Sequence, residues 1–344
     1  MAAERGSGRR RWGRQSRKTI LPAALATLLV LWGGVRALTE PQRPERPYYR
    51  ILRDRVAAAR REETASRHPR GNGFHYAVIA HRGGMDLWPE NTLYAFHRAH
   101  QLGVDVLELD VWLSRDGVPV IIHDETVDRT TNGSGRVAEQ DAAQLRQLDA
   151  RHHWDVEAPP PGDFPLAEMA PYALTVPTLE QLFRLLPEAL MLIEIKSVED
   201  PRSIAAVGDL INAYGRQDRT MVASFDASVL RRFRRLYPQV ATSAGEREVV
   251  VFKLYHWLYL DRLHRPRFDA FQVPERSGPL HVVTPRFLRN SRRKNLSVEV
   301  WTVNDPSDMQ RLGRLGVDGI ITDRPDTALE LRTKSWAQPA VPFQ

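Results

Sequence analysis

The chain has 344 residues, 42% hydrophobic and 26% charged, with a formal net charge of +7; this is enough apolar side chain for a sizeable core, held in one barrel-sized domain or two smaller ones. Seven Lys or Arg against one Glu in residues 1–18 carry +6 of that charge, so the rest of the chain lacks the basic face that phosphate backbones require, and nucleic acid is excluded as a partner. With no cysteine anywhere, disulfides, thiolate catalysis and Cys-ligated zinc are excluded too, while the redox compartment stays open.

Residues 1–18 form a basic tail. The uncharged run Thr19 to Val35 follows, with Arg17 and Lys18 before it and Arg36 after it. Its length suits a single-pass transmembrane anchor over 19–38, and the denser positive charge ahead of it keeps the tail cytoplasmic and the remaining domain on the non-cytoplasmic side. Val35 and Ala37 also fit a signal-peptidase site, in which case the domain is secreted; a buried core helix is the third reading. Residues 39–75, rich in Pro, Arg and Glu, read as a juxtamembrane linker with one helix from Arg50 to Arg61.

From residue 76 the pattern changes. Short strand-like runs alternate with helical ones: "YAVIA" then Thr92 to Gln101, "MLIEI" then Ile204 to Tyr214, "TMVASF" then Ala227 to Tyr237, "VEVWTV" then Ser307 to Leu315, and finally "GIIT". Repeated strand and helix units predict an α/β fold with a parallel sheet, and eight strand candidates in one stretch of barrel length predict a closed (β/α)8 barrel over 76–331, with residues 332–344 as a tail. One unit breaks the rhythm. "VLELDVWLSRDGVPVIIHD" has no room for a crossover helix, so Asp116-Gly117 predicts a tight hairpin, which if symmetric sets Asp110 opposite His123. Residues 125–172 lack strand rhythm and read as a small insertion over one face. The apolar run Val249 to Leu260 predicts a buried barrel helix, with an aromatic surface for a bilayer or acyl chain as the sharper alternative. Asp323 reads as a strand terminator or helix cap, with contact to the site as the lesser alternative. His97, His100, His152, His153, His256, His264 and His281 stand without catalytic company and read as surface or packing residues.

Ionisable side chains gather where the apolar runs end. His81 and Arg82 close the first; Glu108 and Asp110, two apart, share one side of the second. His123 and Asp124 close the hairpin's return strand, and Glu194 and Lys196 repeat the two-residue spacing after "MLI". Such groups are costly on core strands unless they converge. Three carboxylates suit a hard divalent cation, Ca²⁺ or Mg²⁺, better than zinc. Two histidines suit general acid and base work near neutrality. Arg82 and Lys196 offer donors to an anion that Gly83 and Gly84 allow close to the backbone. Cation, acid, base and anion clamp together make the parts of phosphodiester hydrolysis.

The ordered motifs "HRGG", "PENTLYAF", "ELDVWLSRDGVPVIIHD", "IEIK", "WTVND" and "GVDGIITDRP" resemble the glycerophosphodiester phosphodiesterase family over roughly residues 76 to 331. The resemblance implies a TIM-type (β/α)8 barrel with a small insertion after the second catalytic histidine. It implies His81 and His123 as the catalytic pair, Glu108, Asp110 and Glu194 as metal ligands, and Arg82 and Lys196 as phosphate contacts. Trp301 would wall the pocket. Glu90 is either a residue that orients Arg82 or a helix N-terminal acid favoured by the dipole. The implied reaction is metal-dependent hydrolysis of a glycerophosphodiester to an alcohol and glycerol phosphate. The alternatives are a lysophospholipase D using the same site, a related barrel that cyclises instead of hydrolysing, and a silent barrel that binds phosphoryl ligands.

Overall fold

The computed structural model describes residues 44–66, 76–152, 154, 164 and 167–333. Among the described residues eight parallel strands make the barrel: β1 (Ala77–Ala80), β2 (Val106–Leu113), β4 (Leu190–Ile195), β5 (Thr220–Ala223), β6 (Ala241–Thr242), β7 (Ala270–Val273), β10 (Ser297–Val300) and β11 (Gly319–Thr322), while β3 (Pro119–Ile121) pairs with β2 alone and β8 (Arg276–Ser277) with β9 (Leu280–His281) in a separate two-stranded sheet. The eight run in the spatial order β6-β5-β4-β2-β1-β11-β10-β7, and the bridge between Ser243 and Ala270 brings the two ends together. Among the described residues no helix is long and apolar enough to cross a membrane. The basic tail and the apolar run of 19–38 lie outside the described residues, as does nearly all of the tail from 332.

Side-chain parity organises the barrel. Ala77, Ile79, Val106, Leu190, Leu192, Met221, Ala241, Ala270 and Ile321 share one interior cluster, while Val78, Ala80, Leu107, Leu109, Met191 and Ile193 pack outward under the helices. Alternation along a strand requires this division. It also carries the inward rows 77-79, 106 and 190-192 on to His81, to Glu108 and Asp110, and to Glu194 and Lys196 at the carboxyl ends, where barrels of this kind hold their chemistry.

The predicted linker is not a free linker. Helix Pro47–Ser66 is longer than expected at both ends, and its Tyr48, Tyr49 and Leu52 are buried in the barrel's interior cluster, against the first residues of several strands. It therefore plugs the amino-terminal end of the barrel. Tyr49 Oη donates to the buried Glu299 Oε1 at 3.0 Å, and Gln272 Nε2 donates to Oε2 at 2.9 Å. Burial pushes the Glu299 carboxyl up to about 7 in spite of these donors. Tyr49→Phe removes one of the two donors to Oε1, leaving Ser297 Oγ at 3.2 Å, and is expected to destabilise the fold by about 0.5–1.5 kcal/mol, the usual net contribution of one hydrogen bond. Urea unfolding checks it; an unchanged midpoint would show that the plug is not held there.

The hairpin differs from the symmetric two-residue turn. Strand β3 (Pro119–Ile121) pairs Val111 with Ile121 and Leu113 with Pro119, so five residues, Ser114 to Val118, form the loop. Ser114 N donates to Val118 O, and Gly117 takes the left-handed φ of 83°. The longer loop shifts the register by one, and Asp110 O accepts from Ile122 N, not from the chain at His123. The insertion has its own small core of Val127, Val137, Ala142 and Leu145 against Val120 and Ile122.

The run at 249–260 also departs from the buried-helix expectation. Helix Glu246–Trp257 buries only Phe252 and His256, and Val250, Val251, Leu254, Trp257 and Leu258 are exposed. The short helix Ala227–Leu236 before it, by contrast, presents Arg231, Arg232 and Arg235 outward in the ordinary way.

Candidate active site

Strand β1 delivers His81 and Arg82 through a turn with three successive positive φ values: 51° at Arg82, 83° at Gly83 and 94° at Gly84. A Cβ on Gly83 would come within 2.9 Å of Ala95 Cβ, and one on Gly84 within 3.0 Å of Pro325 Cγ. The two glycines thus serve the left-handed turn and its contact with the helices around it, a more local role than admitting an anion. The turn aims Arg82 N at Glu108 Oε2, 2.8 Å away.

The three expected metal ligands converge. Glu108, Asp110 and Glu194 each offer a carboxylate oxygen within 4.8 Å of the others, because Asp110 is the register partner of Glu194 and Glu108 lies two residues earlier on the same side. Burial, then the neighbouring Asp110, push the Glu108 carboxyl upward. Burial and Asp110 likewise raise Glu194, although Lys196 opposes them. Negative charge crowded into a poorly solvated spot is what a divalent cation would relieve, and an all-oxygen set matches Ca²⁺ or Mg²⁺. Asn91 Nδ2, missed by the sequence reading, donates to Asp110 Oδ2 at 3.1 Å and fixes that carboxylate.

The cationic residues are anchored on these acids. Lys196 Nζ lies 2.9 Å from Glu194 Oε2 and 3.2 Å from Asp110 Oδ1; with three N–H groups it keeps one for another acceptor. Arg82 Nη1 donates to Glu90 Oε1 at 2.9 Å. Its Nε is buried without a hydrogen bond, 3.5 Å from Asp110 Oδ2. An orphaned guanidinium donor beside this acidic cluster is suited to a phosphoryl oxygen.

Glu90 stands outside the helix Leu93–Leu102, whose cap is Thr92, and orients arginines. It accepts from Arg82 and also from Arg129, whose Nη1 and Nη2 reach Oε2 and Oε1 at 2.8 Å each. Burial would raise the Glu90 carboxyl, but the two arginines outweigh it and hold it low. Arg129 comes from the insertion and was not singled out from sequence. Its Nε also donates to Asp124 Oδ2 at 2.5 Å, and Asp124 Oδ1 lies 2.7 Å from His123 Nδ1. One guanidinium therefore braces both Arg82 and His123. Arg129→Gln is expected to lower turnover about 10- to 100-fold, as loss of an outer-shell partner does. Its effect on stability should stay within about 1 kcal/mol, because half-exposed ion pairs contribute little; steady-state kinetics beside a melting curve separate the two.

Each histidine has a carboxylate on Nδ1, which leaves Nε2 as the ring nitrogen not engaged by an acid. His81 Nδ1 lies 2.6 Å from Asp323 Oδ1. Asp323 Oδ2 accepts from Asn304 Nδ2 at 2.6 Å, and Asn304 Oδ1 in turn accepts from Asp323 N and Thr322 Oγ1. Asp323 is thus a partner of His81 and more than a strand terminator. Parity along Gly319, Ile321 and Asp323 was the signal for it. Burial opposes protonation of His81, but Asp323 and Glu108 outweigh burial and raise its pKa above 6.5. At His123 burial prevails over Asp110 and Asp124 and lowers it. Trp112 Nε1 donates to His123 O at 2.9 Å and pins the end of the return strand.

Trp301 is half-buried and meets the exposed Phe225 edge-to-face at 6.0 Å; Lys196 Nζ lies 5.7 Å from the Phe225 ring. The two rings form an aromatic border beside the lysine.

Comparison with known proteins agrees with this geometry. A glycerophosphodiester phosphodiesterase of Caldanaerobacter subterraneus subsp. tengcongensis is 34% identical over 263 residues, which cover 75% of this chain and 98% of that protein. A putative glycerophosphoryl diester phosphodiesterase from Silicibacter pomeroyi superposes with a TM-score of 0.59 at 28% identity over 76% of this chain and 95% of that one. A phosphodiesterase of Oleispira antarctica, solved with the product sn-glycerol-3-phosphate, gives 0.58 at 26% identity over 74% and 96%. Residues 81–327 fit the profile of the glycerophosphoryl diester phosphodiesterase family, and with the barrel and its strand ends arranged as above, this chain belongs to that family.

Proposed function

We propose that the protein hydrolyses glycerophosphodiesters to an alcohol and glycerol phosphate at the carboxyl face of the barrel, with a divalent cation held by Glu108, Asp110 and Glu194. The observation that carries this reading is the convergence of Glu108, Asp110 and Glu194 at the strand ends that also bear His81 and His123, each with a carboxylate on Nδ1. The cation would supply Lewis-acid stabilisation of charge on the phosphoryl oxygens. Arg82 and Lys196 bind and orient the phosphate through donors not spent on carboxylates. His123, held neutral, takes a proton from the attacking water as its oxygen bonds to phosphorus. His81, held protonated, delivers a proton to the alcohol oxygen as its bond to phosphorus breaks. Asp124 and Asp323 keep the two Nδ1 atoms engaged, so that both transfers use Nε2.

The pH dependence follows with its sign. Activity falls at low pH as His123 gains a proton, below the ordinary 6.5 because its pKa is lowered. It falls again at high pH as His81 loses its proton, above 6.5 because its pKa is raised. Asp323→Asn removes the charge that raises His81, so the alkaline limb of kcat/KM should move down while the acidic limb stays. An alkaline limb that does not move contradicts the assignment of His81 as the acid.

Substrate choice among diesters is tested with purified protein on glycerophosphocholine, glycerophosphoethanolamine and their lysolipid counterparts. Turnover of the water-soluble diesters is expected. Turnover confined to lysolipids would replace this reading by a lysophospholipase D.

A further inference from the structure

We propose that helix Glu246–Trp257 and the turn after it dock on an acidic lipid bilayer, through a surface separate from the reaction centre. Helices around a barrel ordinarily show one apolar stripe inward and a polar face outward. This one is apolar on both faces. Inward it places Phe252 against Phe271 and Phe287, with ring centroids 4.7 and 5.5 Å apart. Outward, Val250, Val251, Leu254, Trp257 and Leu258 are spaced i, i+1, i+4, i+7 and i+8, so they form one continuous stripe. Val250 is 62% exposed, Leu254 51%, Trp257 55% and Leu258 58%. The stripe runs into Tyr259, 65% exposed, so a Trp-Leu-Tyr tip stands in solvent at the end of the helix. A contiguous apolar surface with Trp and Tyr at its tip is the composition that enters the interface of a bilayer.

Charge decides the kind of bilayer. Residues 246–294 hold eleven Lys or Arg against five Asp or Glu, an excess of six on a chain whose whole charge outside the first 18 residues is close to zero. Arg247, Arg265, Arg267, Arg276 and Arg289 are exposed. Arg286 stacks on the Tyr259 ring at 3.7 Å and donates to His256 O, which ties the tip to the neighbouring helix. An apolar wedge on a segment with an excess of arginine, one of which, Arg286, lies against its tip, matches anionic headgroups above acyl chains. A second copy of the chain would bring the same positive charge to the contact.

The absence of cysteine makes the test direct. Leu258→Cys in the full chain is labelled with an environment-sensitive fluorophore and mixed with vesicles carrying nitroxide-labelled acyl chains. Val250→Cys serves as a second reporter should the first fail to fold. Gln101→Cys is the control: it lies exposed on the helix Leu93–Leu102 after β1, four strands from β6 in either direction round the barrel. The expected result is a blue shift and several-fold greater quenching at 258 or 250 than at 101, on vesicles of phosphatidylcholine with phosphatidylglycerol. The effect should weaken in salt and on phosphatidylcholine alone. The control separates this surface from membrane binding by Thr19–Val35, which would hold the protein without burying residue 258. Equal quenching at the two positions overturns the proposal, and so does insertion indifferent to anionic lipid. Emission already blue-shifted before lipid is added also overturns it, showing a second copy if it depends on concentration and another segment of this chain if it does not.

Discussion

Asp110→Asn is expected to cut turnover by at least about 100-fold while the protein stays folded. Loss of an outer-shell partner alone costs 10- to 100-fold in metal affinity or activity, and Asp110 stands in the acidic cluster itself. It faces Glu194 across the strand pair and receives Asn91 and Lys196. Isothermal titration with Ca²⁺ and Mg²⁺ should show the matching loss of affinity. The cluster also makes a prediction about stability. Burial and Asp110 raise the Glu108 carboxyl, so ionised Glu108 opposes folding when no cation is bound. Glu108→Gln in chelator should therefore melt higher than the native protein even though its activity is lost, since a site built for function is held at a cost in stability. An Asp110→Asn protein with native activity, or a Glu108→Gln protein that melts lower in chelator, removes the basis for a cation site here.

The two histidines should separate by leaving group. General acid or base catalysis typically contributes about 10²- to 10⁴-fold, so His81→Ala and His123→Ala should each lose at least the smaller factor on glycerophosphocholine. The choline alkoxide needs a proton as it departs; a nitrophenolate does not. On a nitrophenyl diester His81→Ala should recover most of its activity, and His123→Ala should not, because water still has to give up a proton. The structural basis is the different company of the two rings. His81 lies beside Asp323 and under the field of Glu108, whereas the burial of His123 outweighs its acidic neighbours. Recovery of both variants, or of His123→Ala alone, reverses or removes the assignment.

Much of this site was legible because strand parity is strict. Two-residue spacings in "ELD" and "EIK" had to place Glu108 with Asp110 and Glu194 with Lys196 on common faces, and apolar residues before them on the same rows had to fill the barrel. Parity applied to "GIITD" would have drawn Asp323 inward too, but Asp before Arg-Pro also satisfies a helix boundary, and that local reading concealed its bond to His81. Arg129 was hidden for a different reason: it arrives on an insertion without periodicity, and its partners Glu90 and Asp124 are 39 and 5 residues away. The hairpin register was misread because Asp-Gly suggests a two-residue turn, whereas Ser114 hydrogen bonds to Val118 and lengthens the loop. The helix was legible, but composition could not distinguish a docked helix from one lying free in a linker, since only Tyr48, Tyr49 and Leu52 of the first turns of Pro47–Ser66 are buried. The run at 249–260 is apolar on both faces, and nothing in its order says which face meets the barrel.

The most direct test follows glycerophosphocholine by phosphorus NMR with purified protein, first with added Ca²⁺ or Mg²⁺ and then with excess chelator. A glycerol phosphate resonance is expected to grow with metal, stop growing in chelator and resume when metal is restored. A product that forms at the same rate in chelator, or a cyclic phosphate as the final product, would contradict cation-assisted hydrolysis at this site.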